Sequence, residues 1–461
     1  MTRAARIGIF VWISITGLIV AVAGWTYCRH GLEGFDYFIQ DSPYTLQSIT
    51  LLSVAITWLL AGFLLWQLQG GRIETGNSWT WAGFYSVAFL YMNVLRERFR
   101  YGDISYYTDA ARSLYLNQPL PDTYLYPPLW ANLLEFLVPY GDETILVAAW
   151  LMNVASLFLF YFLLHLTLER YNFSKRLAAL VTTAFMLVNM PLLRSLFYVQ
   201  VNFHLINLVL LSLLWFTSRT YLSALAMAAA IHLKSSPVVL VPAFLLNRRW
   251  KWTSLLAVNL VLLASLTILT HGPDPFLDFI RNFSNLNAPR ILSFHDSSFD
   301  SVLGTTLSFF KVDYSVVQIV VMLAKLLTAI AVLILMIRSI RHKPFLGVQA
   351  DQSDLLFNAI PSLFILMVIA SPLVWEHHGI MLSLPFLIML KRLQYPSEWI
   401  WFGTAYFLQF FLPTFDFYPW SYARFAAPLI LLGLMWKTMD QLEDGTWFTR
   451  INNSVDQKVP A

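Results

Sequence analysis

Long apolar runs separated by short polar stretches cover most of the chain. A helix needs about 20 apolar residues to cross the hydrocarbon core of a bilayer, and most of these runs approach that length. The pattern therefore predicts membrane-spanning helices near residues 7–27, 48–68, 79–95, 144–168, 177–193, 204–217, 252–270, 315–337, 354–372, 378–392, 397–413 and 422–437.

One further apolar stretch, 220–246, is interrupted by a polar segment that contains His232, Lys234 and Pro237. A charge is costly inside lipid and a proline removes a backbone donor, so this interruption predicts two short helices that form a hairpin. The pattern thus predicts an all-α polytopic membrane protein with about 12 spanning helices plus a re-entrant hairpin, or 14 helices if both arms cross.

Composition supports a surface that faces lipid rather than water. Apolar residues make up 58% of the chain, charged residues only 12%, and the mean hydropathy is +0.61. Soluble proteins carry about 25% charged residues, so a soluble multidomain enzyme is excluded. The net charge of +4 then marks a membrane side rather than a nucleic-acid partner. The single cysteine, Cys28, excludes an intrachain disulfide.

The basic residues also predict the orientation. Most Lys and Arg residues fall in segments that this layout places on the cytoplasmic side, which predicts that both termini are cytoplasmic. Two long loops, 96–143 and 271–314, then lie on the outer side. Residues 1–437 form one membrane domain in this interpretation, and 438–461 form a cytoplasmic tail.

The first outer loop concentrates charge where it leaves the membrane. Arg96, Arg98 and Arg100 alternate, and Asp103 and Asp109 follow. Arginine forks match the oxygens of a phosphate, and a carboxylate beside that phosphate could accept a proton from an incoming hydroxyl. The alternative is a solvated loop that binds anionic headgroups without chemistry.

The double proline in Tyr126-Pro127-Pro128 can open a helix but cannot sit inside one. We expect 129–139 to form a short helix that lies on the membrane, with Trp130 and Phe136 on its apolar face. The alternative is a structural turn that folds the charged loop back over the helices.

Polar groups within or beside spans form a second set of candidates, because ionisable residues at membrane depth need a partner or a function. The set comprises Gln200, Asn202, His232, Lys234, Trp375, Glu376, His377 and His378. Lys234 could instead extend to the interface, and the two histidines could bond neighbouring helices. Lys325, in mid-span, is expected to pair with a neighbour. The second outer loop suggests acceptor binding or a lid.

Short motifs in a fixed order resemble glycosyltransferase family 87, which belongs to the integral-membrane GT-C superfamily. They are Gly-Asp-Ile-Ser-Tyr-Tyr-Thr-Asp-Ala-Ala-Arg (102–112), Tyr-Pro-Pro-Leu (126–129), Val-Gln-Val-Asn (199–202), Ala-Ala-Ile-His-Leu-Lys-Ser-Ser-Pro (229–237), Asn-Arg-Arg-Trp (247–250) and Ser-Pro-Leu-Val-Trp-Glu-His-His (371–378). Two departures concern the acceptor: Val199 stands where the family often has glycine, and the second outer loop is longer.

The resemblance implies a hexosyltransferase that uses a polyprenyl-phosphate-sugar donor, with mannose favoured, at the periplasmic or extracellular face of a bacterial-type inner membrane. Asp103 matches the catalytic aspartate, and Asp109 is the second choice. The expected donor-phosphate ligands are Arg96, Arg98, Arg100, Lys234, His377 and His378. The expected substrate contacts are Tyr106, Tyr107, Arg112, Tyr126, Gln200, Asn202, His232, Trp375 and Glu376.

The predicted reaction is an inverting displacement on a lipid or glycan acceptor. No cofactor is required and a metal is optional, because protein cations can neutralise the leaving phosphate. The sequence has no zinc motif, no P-loop and no dinucleotide fingerprint, so we expect no nucleotide or nucleic-acid partner. The alternative is a transporter or flippase of a lipid-linked sugar, which the lack of a visible inverted repeat disfavours.

Overall fold

The architecture comes from a computed structural model, and every regular element in its described residues is a helix. The described residues are 78–95, 103–187, 189–246, 248–286, 296–341, 353–412 and 419–439, with isolated positions 13, 17, 21 and 28. The predicted spans at 7–27 and 48–68, the three arginines of the first loop and the tail lie outside these ranges, apart from the isolated positions.

The helices follow one another with short connections. The α-helices are α1 (Ser78–Leu95), α2 (Ile104–Tyr115), α3 (Leu129–Glu135), α4 (Asp142–Arg170), α5 (Lys175–Leu187), α6 (Met190–Phe197), α7 (Asn202–Trp215), α8 (Thr220–Leu233), α9 (Val241–Leu246), α10 (Trp250–His271), α11 (Asp274–Asn285), α12 (Phe299–Phe309), α13 (Tyr314–Arg341), α14 (Ser353–Ile369), α15 (Ser383–Met389), α16 (Pro396–Tyr406) and α17 (Ala423–Thr438). Short 3-10 helices span Val138–Tyr140, Ser236–Leu240, Glu376–Leu382 and Trp420–Tyr422, and a π-helix spans Phe407–Phe411.

Three described helices are long and apolar enough to cross a membrane: Asp142–Arg170, Trp250–His271 and Tyr314–Ser339. Several other helices are apolar but shorter. The protein is therefore an all-helical membrane protein, while the predicted number of 12 spans is not established by these residues.

The span predicted at 177–193 is a bent pair of helices, because α5 and α6 meet at 62°. Asn189 caps the start of α6 by accepting a hydrogen bond from the Leu192 backbone N–H at 3.1 Å. Pro191 in the first turn has no N–H to continue an earlier helix. The cap and the proline together explain why one apolar run gives two helices.

The predicted span at 378–392 also differs from the structure. Its first part is the 3-10 helix that follows Trp375, and only Ser383–Met389 is α-helical. Pro385 lies in the first turn of this α-helix and cannot donate a backbone hydrogen bond to the turn before it. The α-helix therefore does not extend further toward Trp375. The segment is buried along nearly its whole length and does not face lipid.

Helix α3 confirms the helix predicted after the double proline, but it ends at Glu135. The expectation that Trp130 faces lipid is wrong: it is 4% exposed, and its ring lies 5.2 Å from that of His204. Neighbouring helices cover most of α3, so only a narrow stripe with Leu133 stays outside. Phe136, just after the helix, is 71% exposed, as predicted.

Hydrogen bonds from Lys391 and Arg392 join segments that the sequence analysis places on the cytoplasmic side. The Lys391 ammonium donates to the Tyr171 carbonyl at 2.8 Å, and Arg392 donates to the Met439 carbonyl at 3.0 Å. Buried cations thus satisfy carbonyls near the ends of α4 and α17, which otherwise lack helical partners.

In the middle of α13, Lys325 pairs with Asp300 of α12, which confirms the expectation that Lys325 pairs with a neighbour.

Helix α11, in the second outer loop, buries two polar side chains, Asp278 and Asn282, and exposes several apolar ones. Asp278 accepts a hydrogen bond from the Leu120 backbone N–H at 3.0 Å, and Asn282 donates to the Pro121 carbonyl at 2.8 Å. These bonds attach the second loop to the first.

The outer face of α11 carries Leu277, Ile280 and Phe283, which are about half exposed. An exposed apolar face opposite a buried polar face is the reverse of a helix in water. It is the pattern of a helix that rests in a membrane interface.

We therefore expect position 280 to lie in lipid. A spin label on Ile280→Cys, in a Cys28→Ser background, should be accessible to oxygen and protected from a water-soluble nickel complex. A label on Asn285→Cys, at an exposed polar position of the same helix, should show the opposite. Equal nickel access at both positions would contradict a membrane-facing α11.

Candidate active site

The carboxylate of Asp103 defines the centre of the candidate site. Asp103 precedes α2, and its side chain does not cap that helix. It instead accepts a hydrogen bond from the Gln200 amide nitrogen. Tyr107, one turn into α2, donates its hydroxyl to the Gln200 amide oxygen at 2.9 Å. Tyr107 and Gln200 are each 1% exposed, so the carboxylate faces a buried and fixed amide.

The turn that carries Gln200 is a helix end in a strained conformation. The Gln200 N–H bonds to the Ser195 carbonyl at 2.8 Å, and the Val199 N–H bonds to the Leu196 carbonyl at 3.1 Å. This pair of bonds is the Schellman motif, in which the residue after the cap is left-handed and is usually glycine. Val199 occupies that position with φ of 51°. The glycine expected from the resemblance thus has a structural reason, and the valine adopts the conformation with strain of about 1–3 kcal/mol.

A second group of side chains lies near Asp103. Lys234 follows α8, and its ammonium nitrogen lies 2.6 Å from His378 Nε2 and 5.5 Å from the centre of the Tyr126 ring. The Tyr126 ring lies at an angle beside that of Tyr107, with ring centres 5.3 Å apart. The motifs that contain Asp103, Tyr126, Gln200, Lys234 and His378 therefore meet in space.

Burial perturbs the charged groups of this site, and opposite charges partly compensate. Burial raises the pKa of Asp103, while the Gln200 hydrogen bond and the Lys234 charge lower it. Burial lowers the pKa of Lys234 to about 7, against the pull of Asp103. Burial and the Lys234 charge lower the pKa values of His377 and His378. The histidines are therefore neutral at pH 7, whereas Lys234 can gain or lose its proton.

The segment with His377 and His378 is held from several directions. The Trp375 backbone N–H bonds to His378 Nδ1 at 3.1 Å, and the His377 carbonyl accepts from Asn202 at 3.5 Å. At Gly379, an added Cβ would lie 2.3 Å from the Gln409 amide nitrogen. Asn202 thus contacts the backbone of this segment, rather than an open space for substrate.

Asp296 joins the second outer loop to the same segment. Its Oδ1 accepts from the Val374 N–H at 2.7 Å and from the Ser298 N–H at 3.0 Å, and its Oδ2 accepts from the Ser298 hydroxyl at 2.9 Å. The Ser297 N–H adds a bond to the Val374 carbonyl at 2.9 Å. The second loop therefore supports the chain just before His377.

Two other predicted residues contact partners other than Asp103. Glu376 pairs with Arg424 at 2.8 Å and with Arg194 at 3.4 Å. His232 faces the Leu260 carbonyl at 2.9 Å. The sequence analysis did not select Arg194 or Arg424, although an arginine between apolar helices is a signal of a buried ion pair.

The exposed face of α2 carries the remaining candidates. Arg112 binds both carboxylate oxygens of Asp142, at 2.5 and 2.6 Å, and lies 3.5 Å from Asp109. Asp109 and Tyr106 are exposed. Arg112 therefore joins α2 to the start of α4, and Asp109 lies on the side of α2 away from the buried site.

The fold and the site define a class: a helical membrane protein in which a half-buried carboxylate lies near a lysine–histidine pair. The model of glycosyltransferase family 87 matches residues 124–372, more than half of the chain, and the protein belongs to this family. It is thus a membrane glycosyltransferase with a sugar donor and an acceptor. A search of curated proteins gave no match. The matched region includes Gln200 and Lys234, whereas Asp103 and His378 lie outside it.

We expect loss of Asp296 to destabilise the site segment. Asp296→Ala leaves the buried N–H groups of Val374 and Ser298 without this acceptor, which should cost about 1–3 kcal/mol per group and lower the unfolding temperature. Asp296→Asn retains an acceptor and should cost less. Asp122→Ala, at an exposed position, should leave the unfolding temperature unchanged. Equal unfolding temperatures for Asp296→Ala and wild type would contradict the stabilising role of the Asp296 hydrogen bonds.

Proposed function

We propose that the protein transfers a hexose, with mannose favoured, from a polyprenyl-phosphate-sugar donor to a lipid or glycan acceptor at the outer face of the membrane. The observation that carries this proposal is the half-buried carboxylate of Asp103 near the Lys234–His378 pair. A base and a phosphate-binding cation at one site are what such a displacement requires.

The acceptor hydroxyl attacks the anomeric carbon, and the bond from that carbon to the phosphate oxygen breaks. Asp103 accepts the hydroxyl proton, a role worth about 10²–10⁴-fold in rate. Lys234 and His378 donate hydrogen bonds to the departing phosphate, where negative charge grows. The attack and the departure take place on opposite faces of the sugar, so the configuration at the anomeric carbon inverts.

Asp103→Asn should abolish transfer, because an amide cannot accept the proton. The protein would be incubated in lipid nanodiscs with short-chain polyprenyl-phosphate-mannose and a crude lipid extract. Mass spectrometry would follow release of polyprenyl phosphate, and the mass of the new product would identify the acceptor. Asp109→Asn, the same substitution on the exposed face of α2, should retain activity within a few-fold.

Full turnover by Asp103→Asn, or loss caused only by Asp109→Asn, would overturn the assignment of the base. If wild type releases no polyprenyl phosphate from the mannose donor, glucose and arabinofuranose donors would be tested next. Failure of all of these despite tight donor binding would favour a lipid-linked-sugar transporter.

Donor binding should depend on the protonation of Lys234. The donor phosphodiester keeps one negative charge at neutral pH, so its affinity should fall as pH rises through about 7 and the ammonium loses its proton. Binding would be measured without acceptor between about pH 6 and pH 9. Lys234→Arg stays charged over this range and should bind independently of pH. A wild-type affinity that is constant to pH 9 would contradict a role for Lys234 in donor binding.

A further inference from the structure

The amide of Gln200 has a defined orientation because of its contact with Tyr107. A phenol hydroxyl that donates to the amide oxygen leaves the NH₂ group on the opposite side. That group faces Asp103. The Tyr126 ring lies beside that of Tyr107, with ring centres 5.3 Å apart. The direction of the bond to Asp103 is thus set by Tyr107.

The backbone around Gln200 is also determined by its surroundings. Its N–H closes the Schellman motif on Ser195, and the preceding Val199 remains left-handed despite its branched side chain. Such strain persists only where neighbouring contacts over-determine the conformation, and it concentrates at functional sites. In this turn the strained residue directly precedes the side chain that contacts Asp103.

We propose that Gln200, held by Tyr107, is a positioning residue that orients the Asp103 carboxylate and keeps it ionised for the acceptor hydroxyl. This inference rests on the proposed function, in which Asp103 is the base. The sequence analysis expected Gln200 to contact substrate, whereas its amide oxygen and nitrogen both have protein partners.

A neutral partner has an advantage over a cation at this position. A salt bridge to Lys234 would also keep Asp103 ionised, but the donor phosphate would then compete with Asp103 for the same ammonium. An N–H donor stabilises the carboxylate without using that charge. Gln200 therefore allows Asp103 to act as base while Lys234 binds phosphate.

The pH dependence of turnover can report this role. The titratable groups around Asp103 in the described residues are Lys234, Tyr107 and Tyr126, and the Gln200 hydrogen bond lowers the pKa of Asp103. Asp103 is active as the carboxylate, so activity falls as pH falls through its pKa. Loss of the hydrogen bond raises that pKa and moves the acid limb of the pH–rate profile upward.

The test compares kcat/KM profiles of wild type, Gln200→Ala and Tyr107→Phe in nanodiscs. Gln200→Ala should shift the acid limb upward by about one to two pH units, as expected for loss of a hydrogen bond to a charged group. Tyr107→Phe keeps the ring but frees the amide to rotate, and should shift the limb by less in the same direction.

Tyr91→Phe is the matched control, because it removes another buried hydroxyl, which joins α1 to α5 by donating to the Met186 carbonyl at 2.6 Å. It should leave the acid limb in place. If Gln200→Ala does not fold, Tyr107→Phe carries the test.

An acid limb that stays in place in both variants, while Asp103→Asn is inactive, would overturn the positioning role alone. Turnover by Asp103→Asn would overturn the proposed base, and the positioning role with it. Lower activity without a shift would mean that Gln200 is only structural.

Discussion

A charge held away from water needs a neighbour that compensates for lost hydration, and this constraint determines how the helices meet around Asp103. The carboxylate lies against the Gln200 amide, and Lys234 lies against His378. Neither pair belongs to one helix, so each can form only when distant segments pack together. The buried polar groups therefore bring the ends of several helices to one place.

The same constraint acts on the connections around the site. Asp296 satisfies the backbone of Val374, and Asp278 satisfies the backbone of Leu120. The second outer loop thus holds both the first loop and the chain before His377. The described residues of this loop act on the chemistry through the segments that they fix.

The sequence predicted the helical segments well wherever long apolar runs continue without a break, as in α4, α10 and α13. It predicted less well where local chemistry interrupts a run. Asn189 and Pro191 divide one predicted span, and only a hydrogen-bonded cap shows where the division falls. Trp130 was placed on the lipid side because hydropathy cannot tell lipid from a neighbouring helix.

The sequence by itself determined that this chain is a helical membrane protein and that a few polar motifs interrupt its apolar runs, because hydrophobicity and charge are properties of each residue. Its motifs also sufficed for the family, which the match over 124–372 establishes. Only the tertiary structure decided which polar residues face each other. It placed Asp103 against Gln200 before α2 and left Asp109 exposed on α2, and it directed Glu376 toward Arg194 and Arg424. Those outcomes depend on contacts between segments far apart in the chain, which no local pattern encodes.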